Sequence, residues 1–197
     1  MLKIGLTGGI ASGKSTVSHW LKNHHYPLID ADQVSRDVVA PGEKVLSDIA
    51  DAFGKHMILK DGGLNRKALG ELIFKDQDKR RKLNTILHPL IRKRIRERLD
   101  QLEKAGVTVV FLDIPLLFEG PLAHWVDRIL VVYVSEDTQI RRLMARNGLT
   151  KEEALERITS QMPLDEKKKR ADAVIDNNGS LEETEKQLIA ILKDWNV

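Results

Sequence analysis

An α/β fold built on a doubly wound, parallel five-stranded sheet is what this sequence predicts, and three observations predict it. Short apolar runs alternate with helix-period segments along the chain, the pattern of a parallel sheet covered on both faces. Two of those runs, Val107 to Leu112 and Ile129 to Val134, are almost continuously apolar, as strands buried on both sides must be. The first run, Lys3 to Thr7, leads straight into GGIASGKST (Gly8 to Thr16), a glycine-rich turn that opens a helix.

The elements follow in order. After the strand Lys3 to Thr7 a helix starts at Lys14, and Leu28 to Asp30 forms a second, short strand. Pro41 and Gly42 break the chain after this unit. From Glu43 to Ala105 the pattern is almost wholly helical and lies between two strands of one sheet, so it reads as a helical insertion. Pro89 lacks an N–H and clashes with the preceding turn, so it should kink or divide the last long helix there. Strands Val107 to Asp113 and Ile129 to Val134 resume the sheet. Thr150 with Glu153, and Ser180 with Glu183, are capping boxes that open two later helices. Between them, Gly148 and Pro163 punctuate a charge-dense stretch that reads as two short helices able to move as a flap, and Ala173 to Ile175 is a final strand. The organisation predicted is one domain: a core of residues 1–42, 106–147 and 171–197, a helical insertion at 43–105, and a small lid at 148–170.

Composition narrows the class. A chain of 197 residues with 42% hydrophobic content fits one α/β domain with insertions and buries a sizeable core. The absence of cysteine excludes disulfides and thiolate zinc sites and suits a reducing compartment. No leader-like segment precedes the first strand, and no apolar run approaches membrane-spanning length, so a soluble, unprocessed cytoplasmic protein is expected. The net charge of +3 is too small to argue for nucleic acid. Nine basic residues do crowd between Lys79 and Arg98 against one acid, Glu97. Such a helix can serve RNA, a membrane surface or a polyphosphate. In the same segment, however, Leu83, Ile86, Leu87, Leu90, Ile91, Ile95 and Leu99 fall at helical spacing, so most of the charge covers the outside of an amphipathic helix. No aromatic residue interleaves it, which removes the stacking platforms of an RNA-binding module. Neither nucleic acid nor membrane is expected as a partner. Nothing in the sequence fixes the oligomeric state, and a monomer is the favoured reading.

The chemistry begins at the turn. Gly8, Gly13, Lys14 and Ser15 fill the pattern G-x-x-x-x-G-K-[ST], a P-loop. Glycines let the backbone curl around a β-phosphate and aim successive N–H groups at it, and the helix that follows adds its positive N-terminal end. Lys14 reaches the β- and γ-phosphates, and Ser15 offers a hydroxyl to Mg²⁺, a hard cation that takes oxygen ligands beside phosphates. The motif therefore predicts a P-loop NTPase fold and nucleoside triphosphate binding. In such sheets reacting groups gather at the carboxyl ends of the strands, where Asp30, Asp32 and Asp113 fall. Asp113, an acid after an apolar strand, has the Walker B form that holds the metal directly or through its water shell. Asp32 suits proton acceptance from an attacking hydroxyl, or its alignment, while Asp30 suits a cap on the next helix. Each of these acids has the alternative of a strand-end cap or turn.

No N-K-x-D-like base-reading signal of a GTPase occurs. Instead Arg141, Arg142 and Arg146 lie on the helix after the fourth strand and Arg157 lies in the flap. Guanidinium groups bind phosphoryl oxygens bidentately and stabilise their developing charge. Arg146 and Arg157 are the candidates for that task and Arg142 for the nucleotide, with surface ion pairing as the alternative for each.

Along essentially its whole length the chain resembles the dephospho-coenzyme A kinase family. The resemblance rests on IGLTGGIASGKST (Ile4 to Thr16), IDAD (Ile29 to Asp32), HPLIR (His88 to Arg92), DIPLLFE (Asp113 to Glu119), RLMARNGL (Arg142 to Leu149), ERITSQM (Glu156 to Met162) and ADAVIDNNG (Ala171 to Gly179). Many proteins share the P-loop, whereas IDAD, HPLIR and IPLLFE in this order are far narrower. Asn147 departs from the acid that relatives often carry. The resemblance implies phosphorylation of the 3′-hydroxyl of dephospho-CoA by ATP with Mg²⁺. It also implies that Asp32 is the base, that Gly9 and Ala11, Ser12, Gly13, Lys14, Ser15 and Thr16 form the nucleotide loop, and that the helical insertion holds the acceptor. His88 and Arg92 would then contact the acceptor, with a core or capping role as the alternative for His88. Leu116, in Pro115 to Glu119, would wall the acceptor pocket or else pack against the sheet. Two rivals are another P-loop kinase with a nucleoside or nucleotide acceptor, and a nucleotide-switched RNA-binding module.

Overall fold

The computed structural model describes residues 1–197. Five strands, β1 (Leu2–Gly8), β2 (Leu28–Asp30), β3 (Val109–Asp113), β4 (Arg128–Tyr133) and β5 (Ala173–Asp176), form one sheet in the order β2-β3-β1-β4-β5. β1 runs parallel to both β3 and β4, and β4 parallel to β5. The chain leaves β1 toward one edge of the sheet and later crosses to the other, which makes the carboxyl end of β1 a topological switch point. Register there brings Leu6 beside Asp113 and Gly8 beside Val132.

Two compact units divide the chain, residues 1–29 with 103–197, and residues 30–102. The first contains the sheet with α1 (Lys14–Asn23), α6 (Glu136–Asn147), α7 (Lys151–Thr159), α8 (Leu164–Lys169) and α9 (Leu181–Asp194). Its main core joins Ile4, Leu6, Phe111, Leu130, Val132 and Ile175 of the strands to Val17 and Leu21 of α1 and to Leu188, Leu192 and Trp195 at the C-terminus. Each such side chain contributes about 1.5–3 kcal/mol by leaving water. On the opposite face Val131 and Val134 pack with Leu164 of α8. β1 needs a glycine on that face, because a Cβ at Gly5 would sit 2.8 Å from the Leu117 side chain and 3.2 Å from Val126. A smaller, separate cluster of Ile140, Leu143, Ala154 and Ile158 joins α6 to α7.

The second unit consists of α2 (Ala31–Asp37), α3 (Val45–Phe53), α4 (Arg66–Lys75) and most of α5 (Gln77–Lys104). It starts at Asp30, so it takes in α2, which the sequence reading places with the core. Asp30 caps α2 by accepting the Gln33 amide at 3.0 Å, as its position after a strand suggested. Pro89 does not divide α5, which is one helix of 28 residues. The proline forfeits a single backbone bond, while buried Leu83 on one side and buried Ile95 and Leu99 on the other hold both halves in helix. Much of the basic charge on α5 is committed to ion pairs: Arg94 with Glu43 at 3.1 Å and Arg98 with Asp37 at 2.6 Å, besides Arg81 with Asp78. The Asp37 carboxyl is held below its usual range first by the hydrogen bond from Gln33 and then by Arg98. No helix of the structure is long and apolar enough to cross a membrane.

Candidate functional site

The turn from Gly9 to Gly13 sits at the carboxyl end of β1 and opens α1. Gly13, with φ of 88°, is the α1 N-cap and supplies no side chain to the first helical amides. By contrast Asp30, Asn65, Ser135, Thr150 and Ser180 cap α2, α4, α6, α7 and α9 with their side chains. The open end of α1 leaves orphan N–H groups and a positive dipole end, which is chemistry suited to receiving an anion. Gly13 is also sterically required, since a Cβ there would fall 2.0 Å from Nδ2 of Asn177. Ala11 carries φ of 58°, a left-handed conformation that costs a non-glycine residue roughly 1 kcal/mol. Strain of that kind persists only where the surroundings hold the backbone in place.

Lys14 and Asp113 meet across the β1/β3 switch point. The Lys14 ammonium is ion-paired with one oxygen of Asp113, and the other oxygen accepts the Ser18 hydroxyl. Asp113 is only 4% exposed, so these two partners are what satisfy its oxygens at the end of a buried strand. Ser15 is exposed one residue further into α1, and Ser12 is fully buried with a hydroxyl that has no protein partner. Arg142 of α6 donates to the Asn177 carbonyl at 2.8 Å, which sets its guanidinium beside the same turn. The fold thus brings together Gly9, Ala11, Ser12, Gly13, Lys14, Ser15, Thr16, Asp113 and Arg142.

The remaining residues of the expected site are distributed over α6, α7 and the loop after β3 in the first unit and over α2 and α5 in the second. Arg146 is exposed and donates to Asn147 at 3.0 Å, and Arg157 on α7 is exposed with its guanidinium unbonded. The segment Pro115 to Glu119 divides between its two readings: Leu117 is fully buried in the sheet's packing, whereas Leu116 is 46% exposed. In the second unit Asp32 lies in the first turn of α2 and is exposed. His88 is neither a core nor a capping residue, because it is exposed in the middle of α5. Arg92 follows one turn later and lines, with Pro89, Lys93, Arg96, Glu97 and Asp100, a cleft of about 320 Å³.

Sequence reasoning missed the supports behind the turn. Lys167 of α8 is completely buried, with its ammonium 3.1 Å from the Gly8 carbonyl, 3.2 Å from that of Pro115 and 2.9 Å from Glu119. Glu119 also accepts the Met162 amide at 3.0 Å, and Gln161 accepts the Ile10 amide at 2.9 Å. Tyr133 at the end of β4 holds on to the same helix, its phenol pushed above the usual range first by a hydrogen bond with Asp165. The segment around α8 is therefore fastened to the P-loop. In the sequence Lys167 is one of four consecutive basic residues, Lys167 to Arg170, and nothing distinguishes the buried one except helical phase relative to Leu164.

A protein-family model described as dephospho-CoA kinase matches residues 2–183 of the chain. The chain is 53% identical over 195 residues to the dephospho-CoA kinase of Geobacillus kaustophilus, covering 99% of this chain and 97% of that one. Identity to the Oceanobacillus iheyensis dephospho-CoA kinase is 54% over 196 residues, covering 100% and 98% respectively. Among solved structures, a Thermus thermophilus protein superposes with a TM-score of 0.81 at 38% identity, covering 98% and 97% of the two chains. Dephospho-CoA kinase from Campylobacter jejuni gives 0.76 at 29% identity, covering 98% and 96%.

Proposed function

The chain belongs to the dephospho-CoA kinase family, and from that premise we propose how its residues divide the transfer of a phosphoryl group from ATP to the 3′-hydroxyl of dephospho-CoA. The observation that carries the reading is the pairing of Lys14 with Asp113 beside an uncapped α1 N-terminus. Here a mobile cation and an acid meet where polyphosphate charge must be met. With ATP present, Lys14 leaves Asp113 for the β- and γ-phosphate oxygens, and the turn from Ala11 to Gly13 cradles them. Arg142 supports the nucleotide.

Ser15 and Asp113 are oxygen donors suited to Mg²⁺, and no cluster of three or more His, Cys, Asp or Glu side chains elsewhere offers a metal cage. That is the donor set of an ion that completes its shell from substrate phosphates and water, and when bound it supplies charge neutralisation at the phosphates. Asp32 takes the proton of the acceptor hydroxyl as the new O–P bond forms, and the bond from the γ-phosphorus to the bridging oxygen breaks to release ADP. Arg146 and Arg157 stabilise the charge of the transferring group. The exposed, unbonded guanidinium of Arg157 supports that assignment, because nothing has to be broken to redeploy it.

The acceptor belongs to the helical unit. The Arg92 cleft offers cationic groups for the acceptor's phosphates, with His88 one turn away on the same face. Substituting Arg92 with alanine is expected to raise the KM for dephospho-CoA about tenfold or more, the worth of one charge-assisted hydrogen bond, and His88→Ala should act in the same direction. The KM for ATP should stay near the wild-type value in both. Steady-state kinetics with each substrate varied in turn checks this, and equal effects on both substrates would mean destabilisation rather than acceptor contact.

The lid closes over the phosphates and excludes water. Its α8 part is anchored through Lys167, Gln161 and Glu119, whereas α7 rests on the small satellite cluster with α6, so the moving part is Gly148 to Ser160. Hydrogen exchange is expected to show residues 161–167 protected in the free protein, and 148–160 gaining protection when an ATP analogue and dephospho-CoA bind together. Unchanged protection at 148–160 alongside a protected P-loop would remove the lid assignment and leave the kinase reading standing.

A further inference from the structure

The phosphate turn is held from behind by side chains of two other elements, and the pattern of its hydrogen bonds alternates. Gln139 of α6, 4% exposed, donates through Nε2 to the Ile10 carbonyl at 2.8 Å. Asn177, 7% exposed in the loop after β5, donates through Nδ2 to the Ser12 carbonyl at 2.8 Å, while its own Oδ1 accepts the Thr184 hydroxyl at 2.7 Å. Both amides are oriented unambiguously, because a carbonyl oxygen can only accept. All peptide bonds in the chain are trans, and in a trans peptide plane the C=O and the following N–H point in opposite directions. Fixing the Ile10 carbonyl therefore fixes the Ala11 N–H, and fixing the Ser12 carbonyl fixes the Gly13 N–H, each aimed away from the side chain that holds it.

The remaining bonds of the turn fit this account. The Ile10 amide is consumed by Gln161 and the Ser12 amide by the Gly9 carbonyl at 3.1 Å. The Ala11 and Gly13 amides have no acceptor in the protein. Two donors without partners, each at the far end of a peptide plane whose carbonyl is clamped, are donors reserved for a ligand. The left-handed φ of Ala11 is what such a clamp must maintain against strain. Asn177 does more than hold one plane, since its backbone carbonyl also receives Arg142 and its amide fills the space that a side chain at residue 13 would need.

We propose that Gln139 and Asn177 are positioning residues for phosphoryl-donor binding, which act by holding the Ala11 and Gly13 amides toward the polyphosphate before it arrives. The inference rests on the kinase reading of the P-loop and adds the devices that preorganise it. Neither residue touches the phosphates. Their loss costs reorganisation of the loop on binding rather than a direct contact.

The test uses Gln139→Met, which keeps length without a donor, and Asn177→Asp, which still accepts from Thr184 but cannot donate to Ser12. Asn178→Asp adds the same charge one residue away as a control. Affinities for ATP, for inorganic tripolyphosphate and for dephospho-CoA are measured by calorimetry, with amide nitrogen–proton spectra of the free and tripolyphosphate-bound protein. For Gln139→Met and Asn177→Asp, tripolyphosphate and ATP affinity should fall roughly tenfold or more, the worth of a lost hydrogen bond to a charged group. Dephospho-CoA affinity should hold, and Asn178→Asp should stay near wild type. Wild-type affinity for tripolyphosphate in both variants overturns the proposal, and so does a parallel fall for all ligands. In the wild-type protein, tripolyphosphate should shift the Ala11 and Gly13 amides more than that of Ile10, and a failure of those two amides to shift overturns the proposal even if both variants fail to fold. Absence of ATP binding by the wild-type protein would overturn the kinase reading itself, whereas wild-type binding with unaffected variants would overturn only the role of the two amides.

Discussion

Asp32→Asn is expected to lower kcat by roughly two to four orders of magnitude, the usual worth of a positioned general base, while leaving ATP affinity near that of the wild type. The asparagine keeps the shape and the α2 first-turn position of Asp32 but cannot take a proton. Its effect should therefore appear in turnover at saturating substrates and not in the KM for ATP. Single-turnover quench experiments with ATP and dephospho-CoA pre-bound give the chemical step directly. A variant that retains near-native turnover would show that Asp32 only aligns the hydroxyl or caps its helix.

Lys14→Ala has the opposite signature. Removing a cation that stabilises charge on the transferring group lowers kcat by about two to three orders of magnitude, and ATP affinity falls with it because the lysine also binds the ground-state phosphates. The structure adds a second consequence. Asp113, nearly buried, would keep only the Ser18 hydroxyl, and a carboxylate stranded in this way costs on the order of 3 kcal/mol. The double variant Lys14→Ala with Asp113→Asn is expected to recover much of the lost thermal stability and none of the activity. Melting curves and ADP-release rates on the same samples separate the two effects, and recovered activity in the double variant would contradict the assignment of Lys14 to the phosphates.

The parts of this fold that declare themselves in sequence are those governed by short-range rules. The P-loop, the capping boxes at Thr150 and Ser180, the Asp30 cap and the continuous apolar strands each follow from residue types at fixed offsets, and each is present in the structure. Of the two outcomes expected at Pro89, a kink or a division, division does not occur, because local propensity is outweighed by the buried leucine and isoleucine contacts along α5. For His88 the sequence left a core or capping role open beside acceptor contact, because the period of a helix says which residues share a face but not which face is covered. Lys167, Gln139 and Asn177 were invisible as site residues for a related reason. Each is an ordinary polar side chain whose backbone carbonyl acceptors lie 52 or more residues away in the chain, and only the tertiary fold shows that all three are buried behind one loop. The chemistry in front of the loop is written in the motif, whereas the scaffolding behind it depends on long-range packing.

The claim on which the rest depends is that this site moves the γ-phosphoryl group of ATP to the 3′-hydroxyl of dephospho-CoA. Coupled ADP-release rates with dephospho-CoA, adenosine or AMP as the acceptor, with the phosphorylated product identified by phosphorus NMR, test it most directly. The account predicts rapid ADP release with dephospho-CoA and one new 3′-phosphomonoester per ADP, with little release for adenosine or AMP. Release that is equally fast with adenosine, with AMP or with no acceptor at all would contradict it.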